Sequence, residues 1–142
     1  MYNTTYSKQY AEGLASMQFD YHNILRTTSK VYNEVLDIWE THSLKLSIGR
    51  LDYYMRNLVR TKGIEVAFAC IEPDIDKYTG KVDPTSNNIH FAWRGKKLNR
   101  GHLANMMKCK RLHIRDTWKM VDNHSYFVKH LGTSLSYHNI YA

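Results

Sequence analysis

The sequence of 142 residues has no apolar run that approaches the length of a membrane span, and no signal-peptide pattern opens it. Both absences speak against a membrane-spanning or secreted protein, and we expect no membrane partner. The two cysteines, Cys70 and Cys109, do not form a metal-binding spacing. We interpret Cys70 as a small core residue in a reducing compartment, so we expect an intracellular protein.

Acidic residues are scarce: 13 aspartates and glutamates stand against 20 lysines and arginines, which gives a net charge of +7. The imbalance is concentrated between Lys96 and Lys119, where Asp116 is the sole acid. A positive field favours phosphate-rich partners such as nucleic acid. Many small domains are basic for solubility alone, so the composition by itself leaves both explanations open.

The sequence does contain enough apolar residues for a folded domain, with a hydrophobic fraction of 43% and an aromatic fraction of 13%. It has no internal repeat and no linker. We therefore predict an N-terminal extension over residues 1–18, with a short helix, followed by a single domain over residues 19–142.

Two stretches, 65–72 and 88–94, are predicted strands because each is rich in Val, Ile, Phe or Trp and is bounded by turn residues. A polar segment at 77–87, with Gly, Pro, Asp and Asn, is predicted to be the hairpin loop between them. The rest of the predicted fold is organised around this strand pair.

Polar side chains of the two strands fall on one side of the predicted pair. Side chains alternate across a strand, so Asn88, His90 and Arg94 share one face, and Ile89, Phe91 and Trp93 share the other. If the strands pair, Glu72 of the first strand comes close to His90. A carboxylate and an imidazole on neighbouring strands are suitable ligands for a divalent cation.

The remaining periodicities complete an α+β fold. We predict further strands at 19–28 and 111–117, helices at 29–39, 49–61, 98–108 and 125–131, and a weak strand or coil at 133–142. Mixed hairpin and crossover connections indicate a mostly antiparallel sheet with helices packed on one face. We expect the other face to be open, so that its His, Asn, Glu and Arg side chains form a platform for a nucleic-acid strand.

The predicted last helix carries Tyr126, Lys129 and His130 on one face. A tyrosine can act as a nucleophile, and the positive charge of a lysine one turn later can assist it electrostatically. The reference pKa of tyrosine is near ~10, so attack on phosphorus needs a nearby cation and a metal that polarises the phosphate. An ordinary amphipathic tyrosine would give the same pattern.

Over residues 19–132 the chain resembles the HUH endonucleases, the replication-initiator (Rep) proteins of rolling-circle plasmids and of small single-stranded-DNA viruses and phages. In that family a strand ending in threonines is followed by a strand with a metal-binding acid, a strand with His-hydrophobic-His, and a helix with Tyr-x-x-Lys. The matching segments here are 19–28, Cys70-Ile71-Glu72, Asn88-Ile89-His90-Phe91 and Tyr126-Phe127-Val128-Lys129. The first histidine of the pair is replaced by Asn88, whose carbonyl oxygen is a weaker ligand than imidazole for Mn²⁺.

The resemblance implies a ferredoxin/RRM-like HUH palm and a Mg²⁺ or Mn²⁺ ion held by Glu72, His90 and Asn88. It also implies that Tyr126, assisted by Lys129, nicks single-stranded DNA at an origin hairpin or loop. The tyrosine would stay on the DNA 5′ phosphate, leaving a 3′ hydroxyl for a polymerase. The expected setting is rolling-circle replication of a plasmid or small phage in the cytoplasm of a bacterial host cell.

Single-stranded DNA is the partner expected for the basic surface. The candidate DNA-binding residues are Arg94, Lys96, Lys97, Arg100, Arg111, Arg115 and Trp118. Trp39 and Trp93 are predicted core residues, and the remaining histidines, including His22 and His138, have no ligand spacing. There is no Gly-rich phosphate loop and no room for a helicase domain, so a host helicase is the expected source of unwinding.

Two alternatives to a nuclease remain open at this point. A catalytically inactive nucleic-acid-binding protein on the same scaffold would explain Asn88, and a small virus-encoded inhibitor of a host protein would use the same surface. Salt-dependent DNA binding separates the DNA-binding functions from the inhibitor, and a covalent DNA adduct separates the nuclease from the binding protein. If Tyr126 is not the nucleophile, Tyr137 is the next candidate.

Overall fold

The computed structural model describes residues 12–13, 16–75, 78–120 and 137–142. The strands are β1 (Tyr21–Arg26), β2 (Thr28–Asn33), β3 (Ile38–Ser43), β4 (Ile64–Ile75), β5 (Val82–Gly95), β6 (Trp118–Lys119) and β7 (His138–Tyr141). The helices are α1 (Ile48–Arg60), α2 (Arg100–Met106) and a 3₁₀ helix at Arg111–His113. Within this described part, no helix is long and apolar enough to cross a membrane.

Five strands form an antiparallel sheet in the order β6-β1-β5-β4-β7, and β2 and β3 form a separate two-stranded sheet. The predicted α+β class with a mostly antiparallel sheet is therefore confirmed. The two central strands are longer than predicted, reaching Ile75 and starting at Val82. A register shift at Pro73/Asp74 lets the pair continue past a proline, which has no N–H for the ladder.

Both α1 and α2 pack on one face of the sheet, as predicted. Ile89, Phe91 and Trp93 are buried on this face together with apolar residues of the helices. The helix predicted at 49–61 is confirmed as α1, and it begins where the Ser47 hydroxyl accepts a hydrogen bond from the Arg50 N–H at 3.1 Å. The core prediction for Trp93 is confirmed.

The expectation that the second face is open is wrong at its centre. Phe68, Cys70 and Ala92 lie on this face and are fully buried, and Phe19 packs against them. The cause lies in β4, whose consecutive residues 66–70 are all apolar, so this strand has an apolar surface on both sides. Cys70 is buried and forms no disulfide with the other cysteine, Cys109, so its interpretation as a core residue is confirmed.

The helix predicted at 29–39 is wrong, because this segment forms the antiparallel hairpin of β2 and β3. Its β-branched and aromatic residues favour strands. The turn is fixed by Asn33, whose side-chain oxygen accepts hydrogen bonds from the backbone N–H groups of Val35 and Leu36 at 3.0 and 3.1 Å. The predicted core residue Trp39 is 68% exposed, so that prediction is also wrong.

The strand predicted at 111–117 is wrong as well, because the chain forms a 3₁₀ helix there and only Ile114 makes a bridge, to Leu25. His113 and Ile114 are both buried although they are consecutive, which a strand with one solvent face does not allow. The helix predicted at 98–108 is confirmed as α2, which begins after Asn99. The helix predicted at 125–131 lies outside the described residues.

The C-terminal strand β7 is tied to α1 by a carboxylate. The predicted weak strand is confirmed at His138–Tyr141, which pairs with β4. The Tyr137 hydroxyl donates to Asp52 Oδ1 at 2.8 Å, and the Tyr141 hydroxyl donates to the same oxygen. These hydrogen bonds lower the pKa of Asp52 below its ordinary value, and the bond from Tyr141 has the larger effect.

Replacing Tyr141 by phenylalanine is therefore expected to lower the free energy of unfolding by about 1.5 kcal/mol at neutral pH, since it removes a hydrogen bond to a charged group. A carboxyl whose pKa is lower in the folded state contributes stability above its unfolded pKa, and this contribution is lost as the pH falls. The cost of Tyr141→Phe should therefore be smaller at pH 3 than at pH 7. Urea unfolding at pH 3 and pH 7 measures this loss in the free energy of unfolding, and Tyr53→Phe, at an exposed tyrosine, is the control. An equal loss for Tyr141→Phe at the two pH values would contradict this account.

Candidate functional site

The register of β4 and β5 brings the predicted metal ligands together. Glu72 lies directly opposite Asn88, and Cys70 lies directly opposite His90. Glu72 Oε2 is in direct contact with His90 Nε2, so the predicted proximity of these two side chains is confirmed. The contact lies on the second face of the sheet, away from α1 and α2.

Burial makes this contact stronger than an exposed one. The His90 side chain is 3% exposed and that of Glu72 is 20% exposed, so solvent screens the pair only from the Glu72 side. A carboxylate and an imidazole in contact can share a proton, or together bind a cation that replaces the proton. Asn88 is the cross-strand neighbour of Glu72, and its amide oxygen is a further hard donor next to the pair.

The oxygen donors of Glu72 and Asn88 suit Mg²⁺ or Mn²⁺, and the imidazole of His90 suits Mn²⁺ better than Mg²⁺. In the described ranges, no three His, Cys, Asp or Glu side chains cluster closely enough to hold a metal without other donors. The amide of Asn88 would therefore be needed as part of the ligand set. Zn²⁺ fits less well, because no thiolate or second imidazole belongs to the set.

Sequence reasoning missed His22, which lies beside this site. The rings of His22 and His90 are stacked with centroids 5.8 Å apart, and Trp118 packs edge-on against His22 at 4.4 Å. Burial, together with the nearby charge of His90, lowers the pKa of His22 to about 3, so its imidazole is neutral at physiological pH. A neutral, packed ring next to His90 restricts the orientation of the His90 side chain.

His138 is a second histidine that the sequence did not assign to the site. It lies opposite Cys70 in β7 and so on the same face as His90, and burial lowers its pKa. His22 and His138 belong to strands far apart along the chain. Alternation within each strand gives a side chain its face, but only the strand order β1-β5-β4-β7 brings the three histidines to one surface.

The two predicted catalytic residues, Tyr126 and Lys129, lie outside the described residues. The alternative nucleophile, Tyr137, is on the other side of the sheet, where it packs against the helix-side core and donates to Asp52. The pKa of the Tyr137 phenol is raised mainly by burial and, to a smaller extent, by the hydrogen bond to Asp52. Tyr137 therefore does not join Glu72 and His90.

The predicted DNA-binding residues separate into two groups. Arg94, Lys96 and Lys97 lie at the end of β5; Arg94 donates to Glu65 Oε2 at 2.9 Å and to the Met17 carbonyl at 2.8 Å. Lys96 and Lys97 are exposed. The engaged guanidinium of Arg94 anchors the N-terminal segment at residue 17.

The second group surrounds a groove of about 690 Å³ at the end of β1, between the start of β2 and residues 112–116. Arg100 and Arg115 line it together with Arg26 and Lys30, two residues that the sequence did not single out, and Asp116 is the acid in its lining. Arg111 is exposed next to the groove, and its carbonyl accepts two hydrogen bonds from Arg100, at 2.9 and 2.7 Å. Trp118 is half-buried against His22 and does not line this groove.

One residue of the groove, Arg26, lies in the same cross-strand row as two of the candidate metal ligands. Arg26, at the end of β1, lies directly opposite Asn88, which in turn lies opposite Glu72. One cross-strand row thus runs from a groove residue to the carboxylate.

No family model matches the chain, and no curated protein or solved structure matches it either.

Proposed function

We propose that this protein is an HUH-type nuclease that nicks and rejoins single-stranded DNA by tyrosine transesterification. The contact between Glu72 and His90 is the observation that carries the proposal. The two side chains come from separate strands, and they meet on the sheet face that the helices α1 and α2 leave free. A buried imidazole held against a carboxylate beside a basic groove is suited to a phosphate-bound cation.

Glu72, His90 and Asn88 would hold Mg²⁺ or Mn²⁺. When bound, the ion would polarise the scissile phosphate and neutralise the charge that develops on it. The chain supplies the remaining chemistry. Glu72 contributes the negative charge of the ligand set, His90 contributes a nitrogen donor whose ring is fixed by His22, and Arg26 places a positive charge next to the site.

The proposed nucleophile is Tyr126. Its phenol oxygen, after losing its proton to solvent, would attack phosphorus, and the bond from phosphorus to the 3′ oxygen would break. The 3′ oxygen takes up a proton and leaves as a hydroxyl, while the 5′ phosphate stays esterified to the tyrosine. Lys129 would balance the charge at the phosphate. Attack by the 3′ hydroxyl of another strand reverses these steps and joins DNA.

A covalent adduct is the direct test. The protein is incubated with a pool of labelled single-stranded oligonucleotides and Mn²⁺, and denaturing gels are used to look for a labelled band at the mass of protein plus DNA. We expect this band with Mn²⁺ and none with EDTA. A pool with randomised sequence covers an unknown origin, so the absence of any band would contradict the nuclease proposal.

A second function is favoured by one specific residue. Asn88 stands where the resembled family has a histidine, and an amide is a weaker ligand than imidazole. A DNA-binding protein without nuclease activity would need no better ligand there. Salt-dependent binding of single-stranded DNA without any adduct would establish this second function in place of the first.

A further inference from the structure

The β2–β3 hairpin has two chemically different faces. Tyr32 lies directly opposite Trp39, and because side chains alternate along a strand, Thr28 and Lys30 are on the same face as Tyr32. The rings of Tyr32 and Trp39 lie 5.4 Å apart, centroid to centroid. They are 41% and 68% exposed, so this aromatic pair is not part of a core.

The basic groove reaches the base of the hairpin. Thr28 and Lys30 of the aromatic face line it together with Ser29 of the opposite face, and Tyr32 follows Lys30 on the aromatic face of β2. At its other side the groove reaches Arg26, the neighbour of Asn88. The groove therefore lies between a hairpin strand that carries one ring of the aromatic pair and a sheet strand whose last residue is the neighbour of Asn88.

The charge of this surface suits a polyanion. The groove is lined by Arg26, Lys30, Arg100 and Arg115, and within the described ranges none of these four forms an ion pair with a carboxylate. Two acids adjoin the surface: Asp116 lines the groove, and Asp37 accepts a hydrogen bond from the Tyr32 hydroxyl at the edge of the aromatic pair. The cations predominate.

The hairpin is held in a fixed position on the domain. At its base the Leu44 N–H donates to the Thr27 carbonyl at 2.7 Å, and the Ser29 hydroxyl donates to the Leu112 carbonyl at 3.1 Å. Thr27 is buried and exchanges hydrogen bonds with the backbone of Asn87. A ligand on the aromatic pair would thus meet a preorganised surface.

We infer that the face of the hairpin formed by Lys30, Tyr32 and Trp39 is a binding surface for single-stranded DNA, with the phosphates in the basic groove and unpaired bases stacked on Trp39 and Tyr32. Exposed aromatic rings beside a cationic groove match the two parts of a nucleotide chain, since bases stack on rings and phosphates need cations. The inference rests on the DNA binding within the proposed function, but it does not require nicking.

The test measures binding of a fluorescein-labelled dT12 oligonucleotide by anisotropy, in EDTA, at several salt concentrations. Trp39→Ala should weaken binding about tenfold, because one stacked base is lost, and should leave the salt dependence unchanged. Lys30→Ala should lower the salt slope by about 0.7, because one phosphate contact is lost. The matched control is Ile38→Ala, which removes a 47% exposed apolar side chain from the other face of the same hairpin and should bind as the wild type does.

An oligonucleotide with abasic sugars separates stacking from charge. With this ligand the difference between the wild type and Trp39→Ala should disappear. Equal binding by Trp39→Ala and wild type on dT12, or equal losses in Trp39→Ala and Ile38→Ala, would overturn the inference and leave a protein partner as the occupant of the hairpin. Binding of dT12 without any adduct on the randomised pool would remove the nuclease proposal alone. No binding of dT12 by the wild type would overturn this inference alone, because the adduct assay on the randomised pool tests the nuclease proposal separately.

Discussion

The Tyr126→Phe variant is expected to form no covalent adduct with single-stranded DNA, a loss of at least about a thousandfold, because removal of a nucleophile leaves the other groups without a reacting atom. Phenylalanine keeps the ring and removes only the hydroxyl oxygen. The variant should therefore still bind DNA with the affinity and salt dependence of the wild type. Gel detection of the adduct and anisotropy with the same oligonucleotide measure the two properties separately.

Tyr137 provides the matched control for this experiment. Its hydroxyl donates to Asp52 on the helix side of the sheet, whereas Glu72 and His90 meet on the opposite side. Tyr137→Phe should therefore form the adduct at a rate close to that of the wild type, although it loses one hydrogen bond within the fold. If Tyr137→Phe abolished the adduct and Tyr126→Phe did not, the assignment of the nucleophile and the two-sided arrangement of the sheet would both be wrong.

The central strand pair was predictable because its information is local. Ile89, Phe91 and Trp93 alternate with polar residues, so the pattern fixes the face of each side chain once the two strands pair. The contact between Glu72 and His90 follows from the same alternation and from the hairpin connection. The helix α1 was predictable for a similar reason, since its apolar residues recur at helical spacing and a serine caps it.

The segment 29–39 shows where such reasoning fails. Its apolar residues fit a helical stripe, but all of them except Leu36 are β-branched or aromatic, and Asn33 and Asp37 form a tight turn that separates two strands. A buried helix face and an exposed hairpin face contain the same residue types. Periodicity cannot distinguish them, because what distinguishes them is the exposure of Trp39, a property of the tertiary structure.

His22 was missed for a different physical reason. The sheet order places β1 beside β5, and only that order brings His22 next to His90. Nothing within 19–28 specifies which strand becomes its neighbour. The same holds for Arg26, whose position opposite Asn88 connects the basic groove to the candidate metal site.

Asn88 allows the metal proposal to be tested with a substitution that should strengthen Mn²⁺ binding. Asn88→His would restore the histidine pair of the resembled family at a half-buried position directly opposite Glu72. We expect the Mn²⁺ concentration for half-maximal adduct formation to fall about tenfold, since imidazole is the better ligand for Mn²⁺. His90→Ala should act in the opposite direction and reduce adduct formation roughly a hundredfold at fixed Mn²⁺.

Direct Mn²⁺ binding, followed by electron paramagnetic resonance without DNA, separates ligand loss from damage to the fold. His90 is buried, so His90→Ala must first give the circular dichroism spectrum of the wild type, and His102→Ala, which changes an exposed residue of α2, is the control for histidine removal as such. Tighter Mn²⁺ binding by Asn88→His together with weaker binding by His90→Ala would require both positions to face one ion. Unchanged binding in both variants would place the ion elsewhere, and the contact between Glu72 and His90 would then be a structural pair that aligns β4 with β5.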